Sequence, residues 1–265
     1  MSKINVDTWE PESGTAATLM ATGDTVTVPS GASLVVASGA TINITGATQT
    51  GFPTGGLLGL VVYTGDGTYT KGGTSNGTAG DEGSADVTKV IIEVQGGGGG
   101  GGSSPSSYPE YSLGGSGGGY AKKFIDVSSV TASVITVGAA GVGFNSSLGG
   151  QGTDGGDSSW VDTASGGSST VTGVKGVGGY ASYGIVVGGS ATGGDINIKG
   201  GDAGWGGQYG TLAGASILGM AGKNGYVTSG ISTAGGGYGA GGGGRYINYP
   251  ASNASPGIVL IWEYA

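Results

Sequence analysis

The chain has 265 residues, of which 67 are glycine, 7 are proline and none is cysteine or histidine, and its formal net charge is −8. These values exclude a disulfide framework, thiolate metal sites and any catalytic triad that contains histidine, and the negative charge disfavours a nucleic acid partner. No apolar run approaches the roughly 20 residues that span a membrane, and the polar residues 1–7 are not typical of a secretory signal. We therefore predict a non-enzymatic protein without a cofactor.

Glycine makes up about a quarter of the chain, against roughly 7% in an ordinary domain, which indicates a low-complexity or a fibrous protein. Disorder is one alternative. The 36% hydrophobic content, the 13 tyrosines and the 4 tryptophans favour a folded chain instead. Collagen is excluded because glycine does not recur at every third position, as residues 149–156 show.

Three eight-residue segments, beginning at Thr25, Ser33 and Thr41, have apolar residues at their second and fourth positions. Each pair points to one face of a short strand. Burying six such side chains contributes roughly 12 kcal/mol, which is less than the cost of ordering the backbone at about 1–2 kcal/mol per residue. We therefore predict a trimeric β-prism stalk, with strands at the edge of a single sandwich or a two-fold arrangement as alternatives. The predicted trimer core is Val26, Val28, Leu34, Val36, Ile42 and Ile44.

A proline and two glycines in residues 52–56 predict a domain boundary. Residues 1–56 would form attachment and shaft repeats, and residues 57–265 a glycine-rich tip domain. The β-branched and aromatic runs after the boundary predict an all-β fold, with strands at 60–63, 87–94, 120–127, 133–137 and 257–264. The last run is too apolar for a loose terminus, so we expect it to pair near residues 90–94.

Glycine is uninterrupted at 96–102 and nearly so at 235–244. Each ordered glycine costs roughly 0.5–1 kcal/mol more than alanine, so ordered glycine segments need compensating backbone contacts. A polyproline II-type helix has no internal hydrogen bonds, but glycine keeps its N–H and can donate sideways to a neighbouring helix. We predict polyglycine II-like segments between the strands.

Motifs in a characteristic order extend over nearly the whole chain: 63–70, 90–95 running into a glycine block, 117–123, 136–139 and the closing 257–264. Together they resemble the glycine-rich C-terminal domain of phage tail fibres, and residues 1–8 with the octads resemble fibre proteins from phages of aquatic bacteria. The resemblance implies a homotrimeric, host-recognising virion fibre. The chain is also similar to phage tip adhesins in which polyglycine helices stack between receptor-contacting loops, but it lacks their long, sharply bounded glycine blocks throughout.

Aromatic residues in the glycine-rich loops are the predicted receptor contacts, because a ring gives much contact area for little lost entropy and because tyrosine and tryptophan dominate binding hot spots. Packing in the core or against glycine helices is the alternative for about half of the loop aromatics. The predicted receptor-binding residues are Tyr108, Tyr111, Trp160, Trp205, Tyr209, Tyr246 and Tyr249.

Two acidic clusters invite comparison with glycan hydrolases, which use paired carboxylates. They are Asp81, Glu82 and Asp86, and Asp154, Asp157 and Asp162. Both lie among small polar residues, so we expect solvated loops rather than a general acid. Residues 149–154 match the opening of a calcium-binding nonapeptide, but Gly156 stands where a large apolar residue belongs and no tandem copy follows. We predict no metal.

The sequence thus predicts a trimeric fibre that is assembled in the host cytoplasm and exposed on the virion. Its N-terminal region would bind other tail or baseplate proteins, and its tip a host surface glycan or an outer-membrane protein. A structural virion component without a receptor role, such as a head fibre or connector, is the main alternative, and a glycan depolymerase is the third.

Overall fold

The computed structural model describes part of the chain, and all of that part follows residue 55. The described residues are 56–71, 82–83, 87–103, 112–130, 132–145, 149–162, 169–180, 184–205, 211–223, 232–244 and 250–265. The chain divides into two units, Met1–Phe52 and Pro53–Ala265, and the described residues belong to the second. The predicted stalk lies outside the described residues, with its trimer core of Val26, Val28, Leu34, Val36, Ile42 and Ile44, and it stays a prediction.

The described residues form an all-β fold without a helix. Its strands are β1 (Leu57–Tyr63), β2 (Gly67–Lys71), β3 (Glu82–Gly83), β4 (Lys89–Gln95), β5 (Tyr120–Asp126), β6 (Ala132–Thr136), β7 (Ser158–Asp162), β8 (Thr170–Gly173), β9 (Ile185–Val186), β10 (Ala191–Thr192), β11 (Ile196–Ile198), β12 (Ala203–Trp205), β13 (Thr211–Leu212), β14 (Gly219–Met220), β15 (Gly236–Gly237) and β16 (Ile258–Tyr264).

The strands predicted from β-branched and aromatic runs are β1, β4, β5, β6 and β16, and all of them form. The pairing of the last strand is also confirmed, because β16 lies antiparallel to β4 with Val259 opposite Val94 and Glu263 opposite Val90. The short strands β2, β7 and β8 were not predicted. Their glycine, serine and threonine content gives no periodic apolar signal of its own.

Two sheets pack face to face. Sheet A has the order β1-β16-β4-β5-β11, and sheet B has the order β10-β8-β7-β6-β2-β3. Alternate residues of each strand point between the sheets, and the largest side chains buried there are Trp160, Tyr69, Ile92, Ile135 and Ile261, each at most 1% exposed. The Tyr69 hydroxyl donates a 2.7 Å hydrogen bond to the Glu263 carboxylate within this core. Burial, together with this bond, raises the pKa of Tyr69.

Ten glycine-rich segments continue from the strands and turns as extended rods. In chain order, rods 1 to 10 are 96–103, 112–119, 138–144, 150–157, 174–180, 187–190, 199–202, 213–216, 239–244 and 251–257. Rods 1, 3 and 5 follow β4, β6 and β8, and rods 2, 4 and 10 lead into β5, β7 and β16. Each of these rods therefore continues in the direction of the strand to which it is joined.

Rod 1 shows how the rods are held together. Its amides donate in turn to three neighbouring rods at 2.9–3.0 Å: Gly96, Gly99 and Gly102 to rod 2, Gly97, Gly100 and Ser103 to rod 4, and Gly98 and Gly101 to rod 10. Its carbonyls accept from rods 3, 5 and 9. The period of three is that of a polyproline II-type helix, in which the backbone groups point outward and make no internal hydrogen bond. All of the rod's N–H groups are therefore satisfied by neighbours, although the rod is fully buried.

Rods 1 and 2 each have six hydrogen-bonded neighbours in a closed ring. The ring around rod 1 runs through rods 2, 5, 4, 3, 10 and 9, and the ring around rod 2 runs through rods 1, 5, 6, 7, 8 and 9. Adjacent members of each ring are also bonded to one another. A Cβ placed on any glycine from 96 to 102 would lie 2.0–2.5 Å from the backbone of a neighbour. The hexagonal array therefore requires glycine in rod 1 because of close approach.

The register of each sheet continues into the rods without a slip. In sheet A one register joins Gln95 with Tyr120, Gly96 with Gly119, Gly99 with Ser116 and Gly102 with Leu113. In sheet B the register that joins Ser158 with Gly173 continues between rods 4 and 5. Neighbouring chains bond at every third residue in the rods, since rod backbone groups point in three directions rather than two. The sandwich therefore aligns the rods.

Polar side chains occupy the junction between strands and rods. The buried Gln95 amide donates to the Gly118 and Gly119 carbonyls at 2.8 and 3.0 Å. On the sheet B side, the Ser158 hydroxyl accepts from the Gly138 amide at 2.9 Å. These side chains satisfy backbone groups at the point where the hydrogen-bond direction changes.

We expect Gly99→Ala to destabilise the fold strongly, because its Cβ would lie 2.0 Å from the Val177 carbonyl oxygen and backbone has little freedom to move. Overpacking of this kind costs about 3 kcal/mol, which corresponds to a fall in Tm of roughly 6–12 °C for a domain of this size. Thermal unfolding followed by circular dichroism measures it. The matched control is Gly204→Ala, where nothing lies within 4 Å of the new Cβ. Equal losses in the two variants would contradict the close-approach argument.

Candidate functional site

The odd-numbered rods run in one direction and the even-numbered rods return. Rods 3 and 5 bond parallel to rod 1, whereas rods 2, 4 and 10 bond antiparallel to it. As a result, six segments outside the described residues begin and finish at the same end of the bundle: 104–111, 146–148, 181–183, 206–210, 224–231 and 245–249. We call this the loop-bearing end. Leu57, where the described chain enters β1, pairs with Tyr264 at the far end of sheet A.

Most of the predicted receptor-binding residues belong to segments that start and finish at the loop-bearing end. Tyr108, Tyr111, Tyr209, Tyr246 and Tyr249 lie outside the described residues, within segments 104–111, 206–210 and 245–249. Trp205 is the last residue of β12 and directly precedes segment 206–210. Their residue type predicts a role in recognition. The direction of the rods brings the ends of their segments to the same end of the bundle.

Trp160 is a correction to the predicted receptor-binding set. It lies in the middle of β7 and is 0% exposed, in the core between the two sheets. The residues around it are serine, valine and aspartate, so the sequence resembles a loop, but strand pairing to β6 and β8 turns the indole inward. Its ring is therefore a core element and is not accessible to a receptor.

A three-stranded sheet, β9-β12-β13, lies at the loop-bearing end. Its inward residues Val186 and Ala203 pack on Leu113 in a second small core. Its outward row is Ile185, Gly204 and Leu212, which are paired across the three strands. Ile185 is 68% exposed and Leu212 is 70% exposed, and the space above Gly204 is open. Two exposed apolar side chains therefore lie on either side of Gly204. The sequence does not predict this arrangement, because the strands that form it have only two or three residues.

The second acidic cluster is corrected in part: Asp162 is buried, whereas Asp154 and Asp157 keep solvent exposure but belong to a rod rather than to a loop. Asp154 and Asp157 belong to rod 4 and accept the amides of Gly178 and Lys175 in rod 5 at 2.9 and 2.8 Å. Asp162 is buried in β7, with 6% exposure. Asp154 also pairs with the Lys175 ammonium at 3.2 Å. The carboxylates of rod 4 therefore serve as hydrogen-bond acceptors between rods. Of the first cluster, Asp81 and Asp86 lie outside the described residues, as does the Glu82 side chain.

Two of the described carboxylates have a displaced pKa, and both are exposed at the surface. The carboxylates with a displaced pKa, Asp126 and Asp202, both have a lowered pKa, whereas a general acid needs a raised one. The described part of the chain contains no group of three or more acidic residues placed to hold a metal ion. No helix in that part is long and apolar enough to cross a membrane.

No protein-family model matches the chain, and no curated protein sequence matches it.

We expect Asp154→Ala to lower stability by about 1–2 kcal/mol, because the buried Gly178 amide loses its acceptor. Asp154→Asn keeps an acceptor oxygen and loses only a surface ion pair, which is worth about 0–1 kcal/mol. Urea unfolding of both variants separates the two contributions. Equal losses for alanine and asparagine would show that charge, rather than the hydrogen bond between rods, is what matters.

Asp202 predicts a stability loss in acid. Its pKa lies below the ordinary value of 3.8, first because the Gly188 amide donates to the carboxylate at 2.7 Å and then because Lys199 pairs with it. Since folding favours the ionised form, this stabilisation is present above about pH 4 and is lost as the pH falls through the folded-state pKa. Unfolding midpoints between about pH 6 and pH 2 should therefore fall less for Asp202→Asn than for the unmodified chain. Parallel pH profiles would contradict the assignment.

Proposed function

We propose that the chain is a virion tail fibre that attaches the particle to the host cell surface through the loop-bearing end of its glycine-rich domain. The single observation that supports this proposal most is the separation of the two ends. Leu57, at the start of β1, lies at the end of sheet A that is remote from the bundle. The described residues that flank six chain segments lie at the opposite end of the bundle. A fibre needs this polarity, with attachment at one end and contact at the other.

The way in which the bundle is stabilised supports the same function. Rods 1 and 2 are held by hydrogen bonds between backbone groups and by close approach at glycine. Both interactions are made between residues of the rods, which the connecting segments join. Those segments are consequently free to carry whatever side chains recognition requires, and rigid elements are the scaffold on which binding loops are normally presented.

The residue types in these segments suit recognition of a glycan or an outer-membrane protein. Tyrosine rings combine a large contact area with a polar tip and lose little rotamer entropy. The exposed apolar pair Ile185 and Leu212 lies at the same end of the molecule. In the proposed trimer, with a β-prism stalk built from the octads and a polyglycine II-type tip, three linked copies raise a weak affinity per site through effective concentration.

The test is competition for adsorption. We expect the purified full chain to block attachment of virions to host cells, and we expect the variant with Tyr246→Ala and Tyr249→Ala to need at least about tenfold more protein for the same block, as loss of hot-spot tyrosines predicts. A second variant with Tyr108→Ala and Tyr111→Ala should behave in the same way. Plaque adsorption assays over a concentration series measure both.

The matched control is Tyr238→Ala, because this partly buried tyrosine lies in the turn before rod 9, at the opposite end of the bundle. Its block should equal that of the unmodified chain. Unchanged adsorption with all four loop tyrosines removed would contradict the assignment of the binding end. Particles that lack the chain and still adsorb and infect normally would favour a structural virion component instead. Release of oligosaccharides from host polysaccharide would favour a depolymerase.

A further inference from the structure

The outward side of sheet A is largely apolar, apart from Glu93 and Lys122 near its centre and the opposed residues Lys89 and Asp126 at one end. One row of paired residues crosses four strands as Leu60, Trp262, Ile91 and Phe124. The outward positions of the edge strands are apolar as well. We call the following residues the outer face of sheet A: Leu58, Leu60 and Val62 from β1, Leu260, Trp262 and Tyr264 from β16, Ile91 and Glu93 from β4, Lys122 and Phe124 from β5, and Ile196 and Ile198 from β11.

Sheet B provides the comparison within the same molecule. Its outward positions are mainly threonine and serine, among them Thr68, Thr136, Ser159, Thr170 and Thr172, with the paired Val134 and Val161 as the apolar exceptions. That alternation of apolar inside and polar outside is normal for an antiparallel sheet with one solvated face. Sheet A departs from it on its outward side, so its outer face has the composition of a buried surface.

The exposed area supports this interpretation. Leu58, Leu60, Val62, Phe124, Ile196 and Ile198 are 37–52% exposed. These six side chains alone leave about 500 Å² of apolar surface uncovered, near the upper end of the roughly 300–600 Å² of the largest patch on a typical monomer. With the partly exposed Ile91, Trp262 and Tyr264, the face approaches the ~800 Å² that each partner contributes to a stable interface.

The central charge of the face is already neutralised. Glu93 accepts hydrogen bonds from the Tyr120 hydroxyl at 2.9 Å, from the Lys122 ammonium at 3.1 Å and from the Trp262 indole at 3.2 Å. Its side chain is only 12% exposed. A carboxylate that finds its partners within its own chain can be covered without leaving an unpaired buried charge. Glu93 therefore requires no complementary charge from whatever covers the face.

We propose that the outer face of sheet A is a self-association surface and that its occupant is a second copy of this chain. The exposed area of the face approaches what each partner contributes to a stable interface. Because the hydrogen bonds of Glu93 are made within its own chain, the face is compatible with an equally apolar partner. Gly56, the first described residue, directly precedes β1, the edge strand of this face. The proposed fibre holds three copies of the chain together, so this inference rests on the proposed function.

Two shallow cavities give the contact places for interlocking side chains. One, of about 210 Å³, is lined by Ile91, Glu93, Lys122, Trp262 and Tyr264. The other, of about 360 Å³, is lined by Lys89, Ile91, Phe124, Tyr264 and Ala265. Both open on the outer face, and each accommodates an apolar side chain of the neighbouring copy.

The absence of cysteine from the chain allows a direct test on the full-length protein. We expect Leu60→Cys and Phe124→Cys to form covalent dimers with a short bismaleimide at micromolar concentration, while Val134→Cys does not. Val134 is the matched control because it is also an apolar strand residue, 44% exposed, on the outer side of sheet B. Light scattering on the unmodified chain, whose subunit mass is 25.1 kDa, gives the number of copies.

Charge introduced into the face provides the second readout. Phe124→Glu combined with Leu60→Glu should lower the yield of intersubunit cross-links from Ile196→Cys at least tenfold, and Val134→Glu should not change it. Each variant should keep the unfolding midpoint of the unmodified chain within a few degrees, which excludes misfolding as the cause. The inference is overturned if the oligomer cross-links equally through Val134→Cys, or if the two glutamates leave the cross-linking yield unchanged. Neither result contradicts the proposed trimer.

Two further outcomes separate this inference from the proposed function. A monomeric chain that still blocks virion adsorption overturns the self-association face and supports receptor binding. A monomeric chain whose tryptophan emission shifts with host polysaccharide, and whose shift disappears in Phe124→Glu, assigns the face to a glycan and also overturns it. An oligomer with the expected cross-links that does not block adsorption supports the face and contradicts the receptor role.

Discussion

The fold depends on one constraint, which is that a glycine rod cannot satisfy its own backbone. A helix with three residues per turn and no internal hydrogen bond directs its N–H and C=O groups outward, and a buried group of this kind must find a partner. Rod 1 meets the requirement by donating to three neighbours and accepting from three others. Such contacts are close only where side chains are absent, so the glycine content of the chain follows from the hydrogen-bonding pattern.

The rods in turn depend on the sandwich. A backbone hydrogen bond contributes about 1 kcal/mol net, which is no more than the cost of ordering one backbone unit at about 1–2 kcal/mol, so a rod by itself is not stable. The strands supply what the rods lack. They bury Trp160, Ile92 and Ile261 in a common core, and they pass their register to the rods without a slip. Aligned in this way, the rods gain neighbours on all sides.

In the proposed function, recognition and stability reside in different residues. The side chains that stabilise the bundle are few and polar, and several bridge adjacent rods, as Asp154 and Asp202 do. The rings of hydrogen bonds around rods 1 and 2 are made between residues of the rods. The outer face of sheet A is a third kind of surface, where apolar strand residues surround a neutralised carboxylate. We interpret the three regions as framework, contact surface and assembly surface.

The sequence by itself determined the features that are written in local residue patterns. The β-branched runs at 60–63, 87–94 and 257–264 predicted strands, and the apolar last run predicted its pairing with β4, because strand propensity and alternation are properties of a few neighbouring residues. The glycine blocks predicted sideways hydrogen bonding, since the backbone chemistry of glycine permits little else. Tertiary structure decided the rest. It placed Trp160 in the core, turned Asp154 and Asp157 into acceptors between rods, and formed β9, β12 and β13 from two or three residues each, because these outcomes depend on partners in other segments of the chain that no local pattern encodes.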